Sequence, residues 1–520
     1  MSVSANLAQT LVNGGLPHQP ALFEPGREVT YGQLDDLTGR VGGALWSLGV
    51  RPGERVAVLM PDGVEAAASI LGAIRIGAVA VPISELGRAN DIRAQLRDSG
   101  PVVAIVHASL EPVLDEIRRE VPSLLEVIAV GGARGSERDF GQLLADAERV
   151  AFHDSKPEDV ALILYSAGAD DREPRGVVHT HASPLAAFGA YARDVLGLRP
   201  EDRVLSTGKL ATAYGLGAGL VFPLAAGAAA VLLPGQPRSK DVFALLKQYQ
   251  PTVMFATPSI YSQLLTDTTV PAPLAGIRAC VSGAEWLPAV LASRITQRLG
   301  TEVLPGFGLT EAFHFVIASP AGKLRPGSAG LPVPGVEARV VDDEGQPAAP
   351  LTIGTLELRT PSAGVAYWNR PDDTRATFRD GWVHTHDRFM VDDDGYFFHC
   401  GRTDGRFKVG GKWVAPAEVE EALLRHEAVW ECAVIGVDDE NGLTKPLALV
   451  VPNVGHAPGA ELERALIEWV KQELSPYKYP RWIDFVDALP KGTAGKVLRF
   501  KLAPLKRRRM GTIPPSSHES

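Results

Sequence analysis

Cysteine is scarce in this chain. Cys280, Cys400 and Cys432 are the only three in 520 residues, far apart and without C-x-x-C spacing. Neither a disulfide framework nor a zinc site is expected, and a reducing, cytoplasmic setting fits. Basic charge is also short, with 52 Lys and Arg against 61 Asp and Glu and a net charge of −9. Nucleic acid as main partner would need a basic face to neutralise phosphate, and none is expected. The one basic run, Lys506-Arg507-Arg508-Arg509, lies in a Pro- and Ser-rich tail and reads as solvated. Long apolar runs are missing as well. Residues 210–234 carry no charge, but Gly215, Gly217, Gly219, Pro223 and Gly227 interrupt them. A helix, a break and a buried strand are expected there rather than a membrane span. The first residues, Met1-Ser2-Val3-Ser4-Ala5-Asn6, lack the charged and then apolar pattern of a signal peptide.

What is present is an ordinary globular composition, 45% hydrophobic and 22% charged, in a chain long enough for two or three domains. Amphipathic stretches alternate with short apolar runs: 33–48 precedes Arg55-Val56-Ala57-Val58-Leu59-Met60, and 63–76 precedes Ala78-Val79-Ala80-Val81-Pro82. Such pairs predict parallel sheets with helical crossovers. A second series runs from about Asp202 through Thr252-Val253-Met254-Phe255-Ala256 and Ala279-Cys280-Val281-Ser282-Gly283. After Gly327 short alternating segments such as Thr355-Leu356-Glu357-Leu358-Arg359 predict a β-rich part. Beyond Asp404-Gly405 a compact block resumes, with helices expected over 416–425 and 462–473 and strands over 431–437 and 446–451. The expected division is a large domain over 1–403, a small one over 404–510 and a disordered tail over 511–520.

The segment Leu164-Tyr165-Ser166-Ala167-Gly168-Ala169-Asp170-Asp171-Arg172-Glu173-Pro174-Arg175-Gly176 is placed like a phosphate-gripping loop. Such loops work through backbone N–H groups freed by glycine, through hydroxyl donors, and through a lysine that neutralises charge. Gly168 and Gly176 frame this one, but Ala167 and Ala169 have no hydroxyl, Asp170 and Asp171 add negative charge, and Arg175 stands at the lysine position.

In order, this loop, Gly306-Phe307-Gly308-Leu309-Thr310-Glu311, Asp387, Gly401-Arg402-Thr403-Asp404-Gly405-Arg406-Phe407-Lys408-Val409-Gly410-Gly411 and Pro490-Lys491-Gly492-Thr493-Ala494-Gly495-Lys496 resemble the motifs of the adenylate-forming superfamily over almost the whole chain. The resemblance implies an α/β fold: a large N-terminal domain of two parallel-type lobes with a β-rich subdomain, and a small mobile α+β C-terminal domain. The implied chemistry has two steps, attack of a carboxylate on the α-phosphate of ATP and displacement of AMP by a pantetheine thiol. On that resemblance Asp387 and Arg402 hold the ribose side, while Ser166, Gly168, Arg175 and Gly308 line the nucleotide. Thr310 donates to the α-phosphate and Glu311 holds Mg²⁺. Lys496 stabilises the charge that develops in the transition state. Asp404 is the hinge, and Gly410 and Gly411 let the pantetheine arm approach. Residues 209–217 and Thr310-Glu311-Ala312-Phe313-His314 are similar to the aryl-CoA ligase branch, which implies an aryl pocket between Ala213, Tyr214, Phe255 and His314. A flat ring needs apolar walls, and a ring substituent needs one polar partner.

The loop departs from the family pattern, as do His386 before Asp387 and Gly405 after Asp404. Hydrogen bonds to charged groups contribute roughly 1.5–3 kcal/mol each. At about 1.4 kcal/mol per tenfold, losing two or three slows the ATP step by about a hundredfold to many thousandfold. The leading expectation is therefore transfer of an aryl group, 2-aminobenzoyl or benzoyl, from its CoA thioester to the phosphopantetheine thiol of an acyl carrier protein, with AMP as helper, as in the priming of aurachin-type quinoline alkaloids. The alternative is an ATP-dependent benzoate or 2-aminobenzoate CoA ligase using Mg²⁺. The third is a catalytically dead aryl-binding scaffold.

Overall fold

The computed structural model describes residues 5–87, 89–133, 137–166, 175–267, 274, 276–285, 287–402, 407–409, 412–438, 444–474, 478–492 and 497–502. Two α/β lobes, a β-rich subdomain and a small α+β unit follow one another, the class expected from the sequence.

In the first lobe the strands Val79–Ile83, Arg55–Leu59, Val103–His107 and Glu126–Val130 lie side by side in parallel. Their cores are continuous Val, Ala and Ile because helices cover the sheet on both faces. Helix Tyr31–Ser47 starts where Thr30 and Gln33 cap each other: Thr30 Oγ1 accepts from the Gln33 N–H and Gln33 Oε1 from the Thr30 N–H. Strand Val160–Ser166 extends the sheet parallel to Val79–Ile83 and pairs antiparallel with Arg175–Thr180, with Ser166 opposite Arg175.

The second lobe orders Val303–Gly308, Ala279–Ser282, Val253–Ala256, Arg203–Ser206 and Ala229–Val231 in parallel, and the early strand Pro20–Glu24 joins at the far side against Ala229–Val231. The uncharged stretch 210–234 forms helix Ala213–Leu216, a π-helical turn Gly217–Val221, helix Phe222–Ala225 and that short strand. No helix among the described residues is long and apolar enough to cross a membrane. One apolar core runs through both lobes.

Strands Glu337–Val341, Gly354–Arg359, Trp382–Val391 and Phe397–Arg402 form the antiparallel subdomain. The last unit sets helices Pro416–Leu424 and Ala460–Glu473 against strands Val429–Asp438, Thr444–Pro452 and Trp482–Phe485. Val419, Leu423, Val434, Val450, Leu466 and Ile483 give it a core of its own.

Candidate active site

Four strands of the second lobe end at one place. After Arg203–Ser206 comes the 209–214 segment, after Val253–Ala256 comes Thr257, after Ala279–Ser282 come Gly283 to Glu285, and after Val303–Gly308 come Thr310 and Glu311. The carboxyl ends of parallel strands are where an open α/β sheet presents ligand sites.

Thr310–Ala312 makes a single 3₁₀ turn, and the chain then reverses at Phe313, whose φ of 66° and ψ of −48° are unusual for a residue with a side chain. The His314 N–H donates to the Ala312 carbonyl at 2.8 Å, closing a strained γ-turn. Its surroundings hold it there. His179 Nε2 donates to the Thr310 carbonyl at 2.9 Å, and its ring meets the buried Phe313 ring edge to face at 5.4 Å. The Gly364 N–H donates to the Glu311 carbonyl at 2.8 Å, and the Tyr367 hydroxyl donates to Glu311 Oε1 at 2.6 Å. Burial lowers the His179 pKa to about 4, so the ring is neutral and carries its proton on Nε2. Gly308 is required by close approach, since a Cβ there would lie 2.3 Å from the His314 carbonyl oxygen.

Beyond the turn, His314 enters an aromatic cluster. Its ring lies nearly parallel to Tyr214 at 5.3 Å and to Tyr191 at 5.8 Å, and it touches Phe222 at 4.5 Å and Phe315 at 4.7 Å. It packs on the bare backbone of Gly217 in the π-helical turn, where a Cβ would come within 2.5 Å of Cδ2. The Tyr214 backbone lies within reach of the ring, but neither ring nitrogen makes a well-formed hydrogen bond among the described residues. Burial pushes the His314 pKa down to about 3. Tyr214 and Phe255 meet at 6.2 Å. The four residues expected around a ring are thus gathered, with Ala213 buried beside them. The rings of Tyr214, Phe255 and His314 meet one another at 5.3, 6.1 and 6.2 Å, and the partly exposed member is Tyr214.

The segment leading to Tyr214 is anchored by buried charge. Lys209 Nζ lies 2.7 Å from Glu85 and 3.3 Å from Asp62, and donates to the Gly235 carbonyl at 3.1 Å. Asp62 accepts the Leu210 N–H. Burial, with Glu85 adding to it against the opposing Lys209, raises the Asp62 carboxyl pKa to about 7.

On the opposite side Asp387 is buried in strand Trp382–Val391, in register with Arg402. His399 Nε2 donates to Asp387 Oδ1 at 3.2 Å, and the His399 ring stacks on Phe307. His386 points to solvent. Arg175 lies with its guanidinium 5.5 Å from the Tyr367 ring centroid and its Nε 3.5 Å from Asp373. Gly168, Asp404, Gly410, Gly411 and Lys496 lie outside the described residues, as do the side chains of Ser166 and Arg402 and the tail over 511–520.

Residues 12–368 match the AMP-binding enzymes and residues 418–496 the AMP-binding enzyme C-terminal domain, which makes this an adenylate-forming fold. The chain belongs to the AMP-binding enzymes, in their aryl-CoA ligase branch. It is 40% identical to the benzoate–CoA ligase of Thauera aromatica across 91% of this chain and 90% of that one. It is 38% identical to the 4-hydroxybenzoate–CoA/benzoate–CoA ligase of Rhodopseudomonas palustris, covering 93% and 90%. Among solved structures, the anthranilate CoA ligase AuaEII in complex with anthranoyl-AMP superposes with a TM-score of 0.94 at 35% identity, covering 98% of this chain and 99% of that one. A benzoate CoA ligase from Burkholderia xenovorans LB400 superposes with a TM-score of 0.90 at 36% identity, covering 96% and 99%.

Proposed function

We propose that this enzyme is an ATP-dependent aryl-acid–CoA ligase that activates a benzoate-class acid through its acyl adenylate. The observation that carries the reading is the turn 310–314, which sets a hydroxyl and a carboxylate four and three residues before an imidazole buried among aromatic rings. Phosphate-facing and ring-facing groups are thereby fixed in one rigid piece, as in-line attack of an aryl carboxylate on an α-phosphate requires. The benzoate–CoA and anthranilate–CoA ligases among its relatives support ATP-driven ligation over carrier loading.

In this reading the aryl ring lies against the cluster on its Tyr214 side, and Asp387, steadied by His399, accepts the ribose hydroxyls. Thr310 donates to the α-phosphate. Glu311 fits a hard cation, since it is only partly buried and its Oε2 accepts no hydrogen bond among the described residues. Bound there, Mg²⁺ would neutralise phosphate charge. Lys496 would act on the developing negative charge, and a CoA thiol would then displace AMP. Aryl-acid-dependent pyrophosphate release tests this: benzoate and 2-aminobenzoate should release it and straight-chain acids of similar size should not. Release without aryl preference contradicts the substrate class.

A second reading, transfer of a ready-made aryl group from CoA to a carrier-protein thiol, is favoured by one feature. Ala167, Ala169, Asp170 and Asp171 are poor partners for a triphosphate. That chemistry needs AMP and pantetheine but no grip on pyrophosphate.

A further inference from the structure

We propose that Tyr367 is a positioning residue for the Glu311 carboxylate and that Arg175 braces the phenol, so that this cation serves the metal side of the site through Tyr367 rather than as a direct phosphate ligand. The inference rests on Glu311 as the metal-facing residue of the ligase reading.

The Tyr367 hydroxyl donates to Glu311 Oε1 at 2.6 Å, and the tyrosine is buried. A phenol hydroxyl facing a carboxylate oxygen can only be the donor of that bond. A donor locked onto one carboxylate oxygen fixes the rotation of the group and leaves the other oxygen to face a cation. The backbone holds the phenol in register. Tyr367 pairs with Val177, the Trp368 N–H donates to the Gly176 carbonyl at 2.7 Å, and the Tyr367 N–H donates to Thr374 Oγ1 at 3.0 Å. The same strand, Arg175–Thr180, starts at Arg175, which places the guanidinium 5.5 Å from the Tyr367 ring centroid and in an ion pair with Asp373. A guanidinium committed to a carboxylate and an aromatic ring has less charge to offer a phosphate, and a lysine lacks the planar group that serves both.

The test is Mn²⁺ binding to the full-length enzyme in the presence of α,β-methylene-ATP, read from the free-ion resonance signal, for the wild type, Glu311→Gln, Tyr367→Phe, Arg175→Lys and Arg175→Gln. AMP affinity, melting temperature and pyrophosphate release are measured alongside. Tyr367→Phe should weaken Mn²⁺ binding about tenfold while AMP affinity holds and the melting temperature changes little. Arg175→Lys and Arg175→Gln should shift it in the same direction by similar, smaller factors. The proposal is overturned if Tyr367→Phe binds Mn²⁺ like the wild type, or if Arg175→Lys matches or exceeds the wild type while Arg175→Gln does not. A wild type that binds Mn²⁺ at Glu311 but releases no pyrophosphate overturns the ligase reading alone. Mn²⁺ binding indifferent to Glu311→Gln overturns both.

Discussion

Phe313 shows how single residues build this site. Its positive φ is an unfavourable conformation for a bulky side chain, by about 1–3 kcal/mol. Burial of its ring against His179 and the bond from His179 to Thr310 hold the turn in place. His179→Leu should leave Thr310 and Glu311 less ordered and lower kcat for adenylate formation more than it raises the KM for the aryl acid, whereas His179→Gln, which keeps a donor, should recover part of the loss. Steady-state kinetics on both variants checks this, and equal behaviour of the two contradicts it. Asp387→Asn should weaken AMP binding roughly tenfold or more, because hydrogen bonds to a charged group contribute about 1.5–3 kcal/mol; titration calorimetry with AMP reads it directly. Thr310, Glu311, Asp387 and His314 could be named as candidates from the sequence because they sit in short local motifs. His179, Tyr367, Tyr191 and Phe222 were not. They reach the site through strand register and packing across many tens of residues, as in the pairing of Val177 with Tyr367, and such pairing leaves no local pattern.

Among the elements, the segment 209–214 and its buried charges carry the sharpest pH prediction. The Asp62 pKa is raised from its ordinary value to about 7, so its contribution to stability is fully present below about pH 4 and is lost as pH rises through 7. Melting temperatures of wild type and Asp62→Asn measured from pH 6 to pH 8.5 should diverge, with the wild type falling more steeply; parallel curves contradict the assignment. The continuous apolar strands were readable from composition, and the helix expected over 33–48 appears as Tyr31–Ser47 with its capping box. The π-helical turn Gly217–Val221 was not readable, since the glycines that announce a break do not say which irregular turn replaces the helix or that His314 will rest on it. The placement of Pro20–Glu24 in the second lobe was hidden for a similar reason. Leu22 pairs with Ala230, and no short-range feature selects that partner.

At the scale of the whole molecule, one core binds the two lobes and a separate core serves the last unit, while buried neutral histidines link stability to acid. His179, His181 and His314 have pKa values lowered by burial to about 4, 4 and 3. Between about pH 6.5 and 4 the unfolded chain binds more protons at these sites than the native one, so the native state loses stability as pH falls through that range. Asp62 opposes this with a single proton. The urea midpoint should therefore drop on going from pH 7 to pH 4.5, and a constant midpoint contradicts the linkage. Mass spectrometry separates the proposed ATP-driven aryl-CoA formation from carrier loading. One reaction holds the enzyme, 2-aminobenzoate or benzoate, ATP, Mg²⁺ and CoA; the other holds 2-aminobenzoyl-CoA, AMP and a holo acyl carrier protein. A ligase should give an aryl-CoA thioester in the first and leave the carrier unmodified in the second. A loaded carrier in the second with no thioester in the first would contradict it and establish the transferase.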